Sequence, residues 1–125
     1  MSRVATLPRN TTRQAEGPLY GDVARVLHRV SGGIVVLFVL VHVVVQMIRH
    51  VPAFAAVNAA APWLEPLQHV AAIHALLYAS VAFHTLYGLR LLAGEAGFRL
   101  PYRASLWTIG VLSLVPAVVE IARHG

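Results

Sequence analysis

The sequence contains no cysteine, which excludes disulfide bonds, thiolate metal sites and cysteine nucleophiles. Charged residues make up only 12% of the chain, and the stretches 30–48 and 66–89 contain no Asp, Glu, Lys or Arg. Hydrophobic residues account for 58%, above the roughly 45–50% that is typical of soluble domains. The composition therefore predicts an all-α protein embedded in a lipid bilayer.

Three hydrophobic segments approach or exceed the ~20 residues that an α-helix needs to cross a bilayer. We expect three membrane-spanning helices in a domain that covers residues 21–125, at about 26–48, 64–93 and 103–121. Each backbone polar group in the bilayer must be satisfied within its own helix. We expect these helices to be part of a larger helix bundle that a partner anchor subunit completes.

The segments outside these helices are expected to lie at the membrane surface. The polar segment 1–20 is predicted to be an extended arm on the membrane or on a partner. In the loop after the first helix, residues 52–61 are predicted to form a short interfacial helix. Arg103 and Glu120, near the two ends of the third helix, are expected to lie close to water.

The positions of the arginines predict the orientation, because loops on the inner side of a membrane carry an excess of basic residues. With three crossings, eight of the ten arginines fall on the side of the N-terminus: Arg3, Arg9, Arg13, Arg25, Arg29, Arg90, Arg99 and Arg103. We therefore expect the N-terminus inside. This placement of charge at segment ends accounts for the net charge of +5, and we expect no nucleic-acid partner.

Two of the histidines inside the uncharged stretches are the most informative, because an ionisable side chain at that depth is costly and indicates a function. They are His42 in the first predicted helix and His84 in the second. From the helical rise, His84 lies about 9 Å from the inner boundary at Arg90, and His42 about 20 Å from the boundary at Arg29. Imidazole is a common axial ligand of haem iron, and imidazoles at two depths suit two stacked haems.

Packing is the alternative role for each histidine, because an embedded imidazole can hydrogen-bond a neighbouring helix without binding a metal. His74, at a depth similar to that of His42, is open to both roles: packing, or a ligand to an outer haem. Gly88 lies on the same helix face as His84, where a missing side chain lets a flat macrocycle approach the backbone. Gly32 offers the same access on the first helix, or allows close helix packing.

A different group, His28, Arg29 and Arg25, lies at the inner end of the first helix. Cations there suit haem propionate carboxylates or a quinone carbonyl. The alternative is that basic residues simply anchor the helix at the inner face of the membrane.

Two motifs resemble those of a known family. The segment 26–32 (VLHRVSG) resembles the His-Arg-x-Ser/Thr-Gly signature of the cytochrome b membrane-anchor subunit of succinate dehydrogenase, a succinate:quinone oxidoreductase. The segment 82–90 (AFHTLYGLR) resembles the second signature of that family, His-x-x-x-Gly-x-Arg. The resemblance extends over about residues 20–121 and implies three transmembrane helices.

The resemblance implies roles for individual residues. The second-helix histidine of that family is an axial ligand of haem b, which carries over to His84 as the ligand of an inner haem. The first motif lies near haem propionates and the quinone, which carries over to His28 and Arg29. Ser31 of the same motif and Arg25, at a position where the family often has a quinone-binding serine, are assigned to the quinone.

A further part of the resemblance concerns the number of haems. Members of the family with two haems carry a first-helix histidine about four turns after the opening motif, and His42 matches it. The resemblance therefore favours two haems over one, with His84 and His42 as metal ligands.

The resemblance implies a membrane anchor that holds the flavoprotein and iron–sulfur subunits at the inner face of the cytoplasmic membrane, or of an equivalent energy-transducing membrane. Electrons from succinate would pass through iron–sulfur clusters to ubiquinone or menaquinone. The chain has no flavin motif, catalytic acid or nucleophile, so it is expected to be non-catalytic alone. A second anchor subunit is expected to supply the opposing haem ligands.

Two alternatives remain at this point. One is another small membrane cytochrome b that carries electrons without a dehydrogenase. The other is a haem-free membrane scaffold subunit in which the histidines only pack.

Overall fold

The computed structural model describes residues 18–124, and the side chains of residues 21–124. Of the predicted arm 1–20, residues 1–17 lie outside the described residues. The described part consists of helices without a strand: α1 (Pro18–His50), a 3-10 turn (Pro52–Phe54), α2 (Ala55–Ala60), α3 (Leu64–Gln68), α4 (Ala71–Glu95) and α5 (Tyr102–His124). The segment 52–61, predicted as a short helix, is occupied by the 3-10 turn and α2.

Three of these helices, α1, α4 and α5, are long and apolar enough to cross a membrane. Their outward faces are apolar as well, with large side chains such as Leu37 and Trp107 exposed. Apolar surfaces of this extent require lipid or another protein around them. The prediction of an all-α membrane protein with three spanning helices is therefore confirmed.

Prolines lie at several helix boundaries, where a fixed φ and a missing N–H are tolerated. Pro18 is the first residue of α1, which starts earlier than the predicted residue 26. Pro52 follows the end of α1, and Pro101 directly precedes α5. Pro116 lies inside α5, as transmembrane helices tolerate.

The second spanning helix begins at Ala71, not at residue 64 as the hydrophobic run predicts. Val70 is extended (φ −66°, ψ 124°) and separates α4 from the five-residue helix α3. Contacts with α1 hold α3 in a separate position, because Glu65 forms an ion pair with Arg49 at the end of α1. The break falls beside the polar residues Gln68 and His69, in a segment that the sequence analysis predicts as one helix.

The helix α4 is central and packs against both α1 and α5. The buried core lies where the start of α1, the end of α4 and the start of α5 meet, and it consists of Ala24, Tyr87 and Ile109. Tyr87, only 2% exposed, is the one large side chain in the described part that is fully buried. The small side chain of Ala24 lets α1 approach α4 there, which brings the first and second motifs together.

Candidate functional site

The antiparallel packing of α1 and α4 brings His28 and His84 into contact. Their imidazole rings are parallel, with centroids 4.1 Å apart and an interplanar angle of 6°. The ring of His28 also lies 5.2 Å from that of Tyr87 in the core. The two motifs recognised in the sequence therefore form one site between the two helices.

The nitrogen atoms of His84 have distinct environments. Its Nδ1 lies 3.0 Å from the backbone carbonyl oxygen of His28. Because a carbonyl oxygen only accepts, Nδ1 carries the proton and donates it, and Nε2 keeps its lone pair. The hydroxyl of the buried Ser31 donates to the same carbonyl oxygen at 2.9 Å. This is the arrangement typical of metal-bound histidines, in which the second ring nitrogen donates to an oxygen.

Two glycines lie at this contact between the helices. A Cβ built on Gly32 would lie 2.7 Å from Cε1 of His84, so the ring packs directly on the backbone of α1. A Cβ on Gly88 would lie 3.7 Å from Cε1 of His28. Gly32 therefore allows the two helices to pack closely, which is one of the two roles considered for it. Gly88 faces α1 from the other helix.

His28 has a polar atom that the described residues leave unpaired. Its Nδ1 is buried and has no hydrogen-bond partner among them. An unsatisfied buried group of this kind costs about 1–3 kcal/mol. The site therefore offers a hydrogen-bonding position to a group supplied from outside the described part of the chain.

The three arginines near this site differ in their surroundings. Arg29, next to His28, is exposed on α1. Arg25 is exposed too and forms an ion pair with Asp22 on the same helix. The third, Arg90 of the second motif, points towards α5, where Nε donates to Oγ of Ser105 at 2.8 Å.

Arg90 also stacks on an aromatic ring of α5. Its guanidinium carbon lies 4.5 Å from the ring centroid of Tyr102. Cation–π contacts of this kind stabilise a fold by about 0.5–1 kcal/mol or more. Arg90 therefore joins α4 to α5, a role that its place in the motif does not reveal.

His42 lies on an exposed face of α1 in this chain by itself. Over their whole length, α4 packs more extensively on α5 than on α1. Nδ1 of His42 lies 3.1 Å from Oε1 of Gln68, which is only 7% exposed. Sequence reasoning missed Gln68, although a polar side chain in an uncharged stretch was the signal that could have found it.

His74 and Glu120 pair across α4 and α5. Nδ1 of His74 lies 3.1 Å from Oε1 of Glu120, and Nδ1 of His124 lies 3.6 Å from the same oxygen. Glu120 is 7% exposed, so the expectation that it lies close to water is wrong. The reason is that α5 continues to His124, and Glu120 lies on the face of α5 that carries the buried Ser113 and Ala117.

Within residues 18–124, no three or more His, Asp or Glu side chains converge on a metal-sized site. The three apolar helices and the half-buried imidazole pair between α1 and α4 define a helical integral membrane protein with a histidine site between two of its helices. Residues 10–119 match the family described as succinate dehydrogenase/fumarate reductase transmembrane subunit. The match spans most of the 125 residues, so the chain belongs to this family, as its two motifs predict.

Members of this family are subunits of the succinate dehydrogenase/fumarate reductase complex, which implies further subunits and a membrane. Comparisons with curated proteins and with solved structures gave no match.

Proposed function

We propose that the chain is the haem b-binding and quinone-binding membrane anchor of its complex, with His84 as an axial ligand of the inner haem. The observation that carries this proposal is the hydrogen bond from Nδ1 of His84 to the carbonyl oxygen of His28. It leaves Nε2, inside a membrane span, as a ligand of the kind that haem iron takes. When bound, haem b supplies a one-electron carrier.

The unpaired Nδ1 of His28 supports a binding role for the first motif. A haem propionate or a quinone carbonyl would satisfy this nitrogen, and the exposed cation of Arg29 beside it would attract either group. Ser31 supports the site by holding the carbonyl of His28. Arg25 adds positive charge on the same side, next to Asp22.

A second, outer haem is proposed at His42. Its Nδ1 faces the side-chain oxygen of Gln68. Its Nε2 therefore keeps a lone pair that can bind iron, as Nε2 of His84 does. The exposure of His42 fits a position at an interface, where a second membrane-anchor subunit covers it and supplies the opposing ligand.

In the assembled complex, the N-terminus of this chain lies on the inner side of the cytoplasmic membrane, together with the flavoprotein and iron–sulfur subunits. Electrons from succinate pass through the iron–sulfur clusters to a quinone held near His28 and Arg29. The chain contributes binding and orientation to this reaction and carries no catalytic group of its own.

The test is a reduced-minus-oxidised optical spectrum of the purified complex, together with its flavin content. We expect a haem b signal that His84→Ala abolishes or greatly alters, while His50→Ala, at an exposed histidine of α1, leaves it unchanged. Flavin retained in the His84→Ala complex shows that assembly is intact.

Three results would contradict the proposal. An unchanged spectrum at full haem content in His84→Ala removes His84 as a ligand. Haem without flavin in the purified protein favours a separate membrane cytochrome b. No haem at all favours a scaffold subunit.

A further inference from the structure

We propose that Gln68 is the positioning residue for His42, and that its side-chain oxygen tunes the redox potential of the outer haem. This inference rests on the proposed function, because it concerns the haem that His42 would hold. It adds a residue outside both motifs of the family.

The orientation of the Gln68 amide follows from its two contacts. Its Nε2 donates to the backbone carbonyl oxygen of Val41 at 3.4 Å, so the amide nitrogen faces the backbone of α1. Oε1 then faces Nδ1 of His42 at 3.1 Å. An amide oxygen has no proton to give, so Nδ1 of His42 must donate and Nε2 carries the lone pair. One side chain therefore sets the tautomer and the orientation of the ring.

Two contacts with α1 hold the position of Gln68, one from Gln68 itself and one from Glu65 of the same short helix. Gln68 is the last residue of α3, and it is buried. Glu65, one turn earlier in α3, forms an ion pair with Arg49 of α1. These contacts attach α3 to the same helix that carries His42, and they accompany the interruption of the second hydrophobic segment at Val70. The break thus places an amide beside the ring where a continuous helix would follow a different path.

The two histidines of α1 and α4 differ in what accepts their Nδ1 protons. His84 donates to a backbone carbonyl oxygen, which every residue type has, so a substitution does not change this acceptor. His42 donates to a side chain, whose acceptor strength a substitution can change. A stronger acceptor makes the imidazole a better electron donor, which favours oxidised iron and lowers the reduction potential. A substitution at Gln68 can therefore raise or lower the strength of the acceptor that Nδ1 of His42 faces.

The test compares Gln68→Glu and Gln68→Leu in the purified complex by redox titration of the haem spectra. We expect Gln68→Glu to shift the potential of the outer haem to more negative values, because a carboxylate is the stronger acceptor. We expect Gln68→Leu to shift it to more positive values and to change the low-spin electron paramagnetic resonance signal of that haem. The inner haem should keep its potential in both variants.

Gln46→Leu is the matched control, because Gln46 lies one turn from His42 on α1 and should leave both potentials unchanged. A purely structural role for Gln68 would lower haem content without shifting the potential in opposite directions in the two variants. His42→Ala distinguishes a wrong role for Gln68 from a wrong ligand of the outer haem. If it removes one haem while both Gln68 variants keep the original potential, this inference is overturned and the proposed function stands. If it removes none, the outer ligand itself is wrong and the inference fails with it.

Discussion

Gly32 of α1 and His84 of α4 are in direct contact, with no room between them for a side chain. A Cβ on Gly32 would lie 2.7 Å from Cε1 and 3.0 Å from Nδ1 of the His84 ring. The same ring stacks on His28 and donates to its carbonyl oxygen. The orientation of His84 is therefore determined by three features of α1 within little more than one turn.

This contact predicts the effect of Gly32→Ala. The added methyl group must displace the His84 ring, and overpacking of this kind costs about 1–3 kcal/mol. We expect the inner haem signal to shift or to weaken at normal flavin content, measured by optical spectra of the purified complex. Gly33→Ala is the matched control, since a Cβ there meets nothing within 4 Å. Equal spectra for the two variants would argue against His84 as the ligand.

Arg29→Leu tests the quinone site. A quinone that gains electrons develops negative charge on its oxygen, which a fixed cation stabilises. We expect quinone reduction to fall by on the order of 10²-fold, while electron delivery to an artificial soluble acceptor is retained. Arg99→Leu removes an exposed arginine from the loop before α5 and should spare both activities. An equal loss of both activities in Arg29→Leu would indicate failed assembly or a quinone site elsewhere.

His42→Ala and His74→Ala together decide which histidine holds the outer haem. Nδ1 of His42 faces a neutral amide, whereas Nδ1 of His74 faces the carboxylate of Glu120. We expect the haem-to-flavin ratio to fall from about two to about one in His42→Ala and to stay near two in His74→Ala. The opposite pattern would assign the outer haem to His74. A ratio near one in the unmodified complex would reject an outer haem.

Glu120→Ala tests the pair between α4 and α5. The substitution leaves Nδ1 of the half-buried His74 without its acceptor, which costs part of the about 1–3 kcal/mol of an unsatisfied buried group. We expect a lower thermal denaturation temperature of the purified complex and unchanged haem spectra. Glu95→Ala, at the exposed end of α4, is the control and should leave the denaturation temperature unchanged. A loss of haem in Glu120→Ala would instead connect this pair to a haem site.

The sequence by itself determined the class of the protein and its family. Hydrophobicity is a property of each residue, so the apolar runs identify the three membrane-spanning helices without knowledge of their packing. His28 and His84 lie near the same end of two consecutive helices that cross in opposite directions. The connectivity therefore places them at the same end of neighbouring spanning helices, whereas the stacking of their rings is seen only in the structure. The two motifs agree with the family match.

Only the tertiary structure decided which way the other polar side chains point. The rotation of a helix about its axis depends on its neighbours, so the sequence did not show that Glu120 is buried or that Arg90 reaches α5. The stretch 66–89 is uncharged and does not mark where the second spanning helix begins, whereas in the structure α3, which contacts α1, is separate from α4. The same contacts bring Gln68 to His42, two residues that lie on different helices and share no sequence pattern.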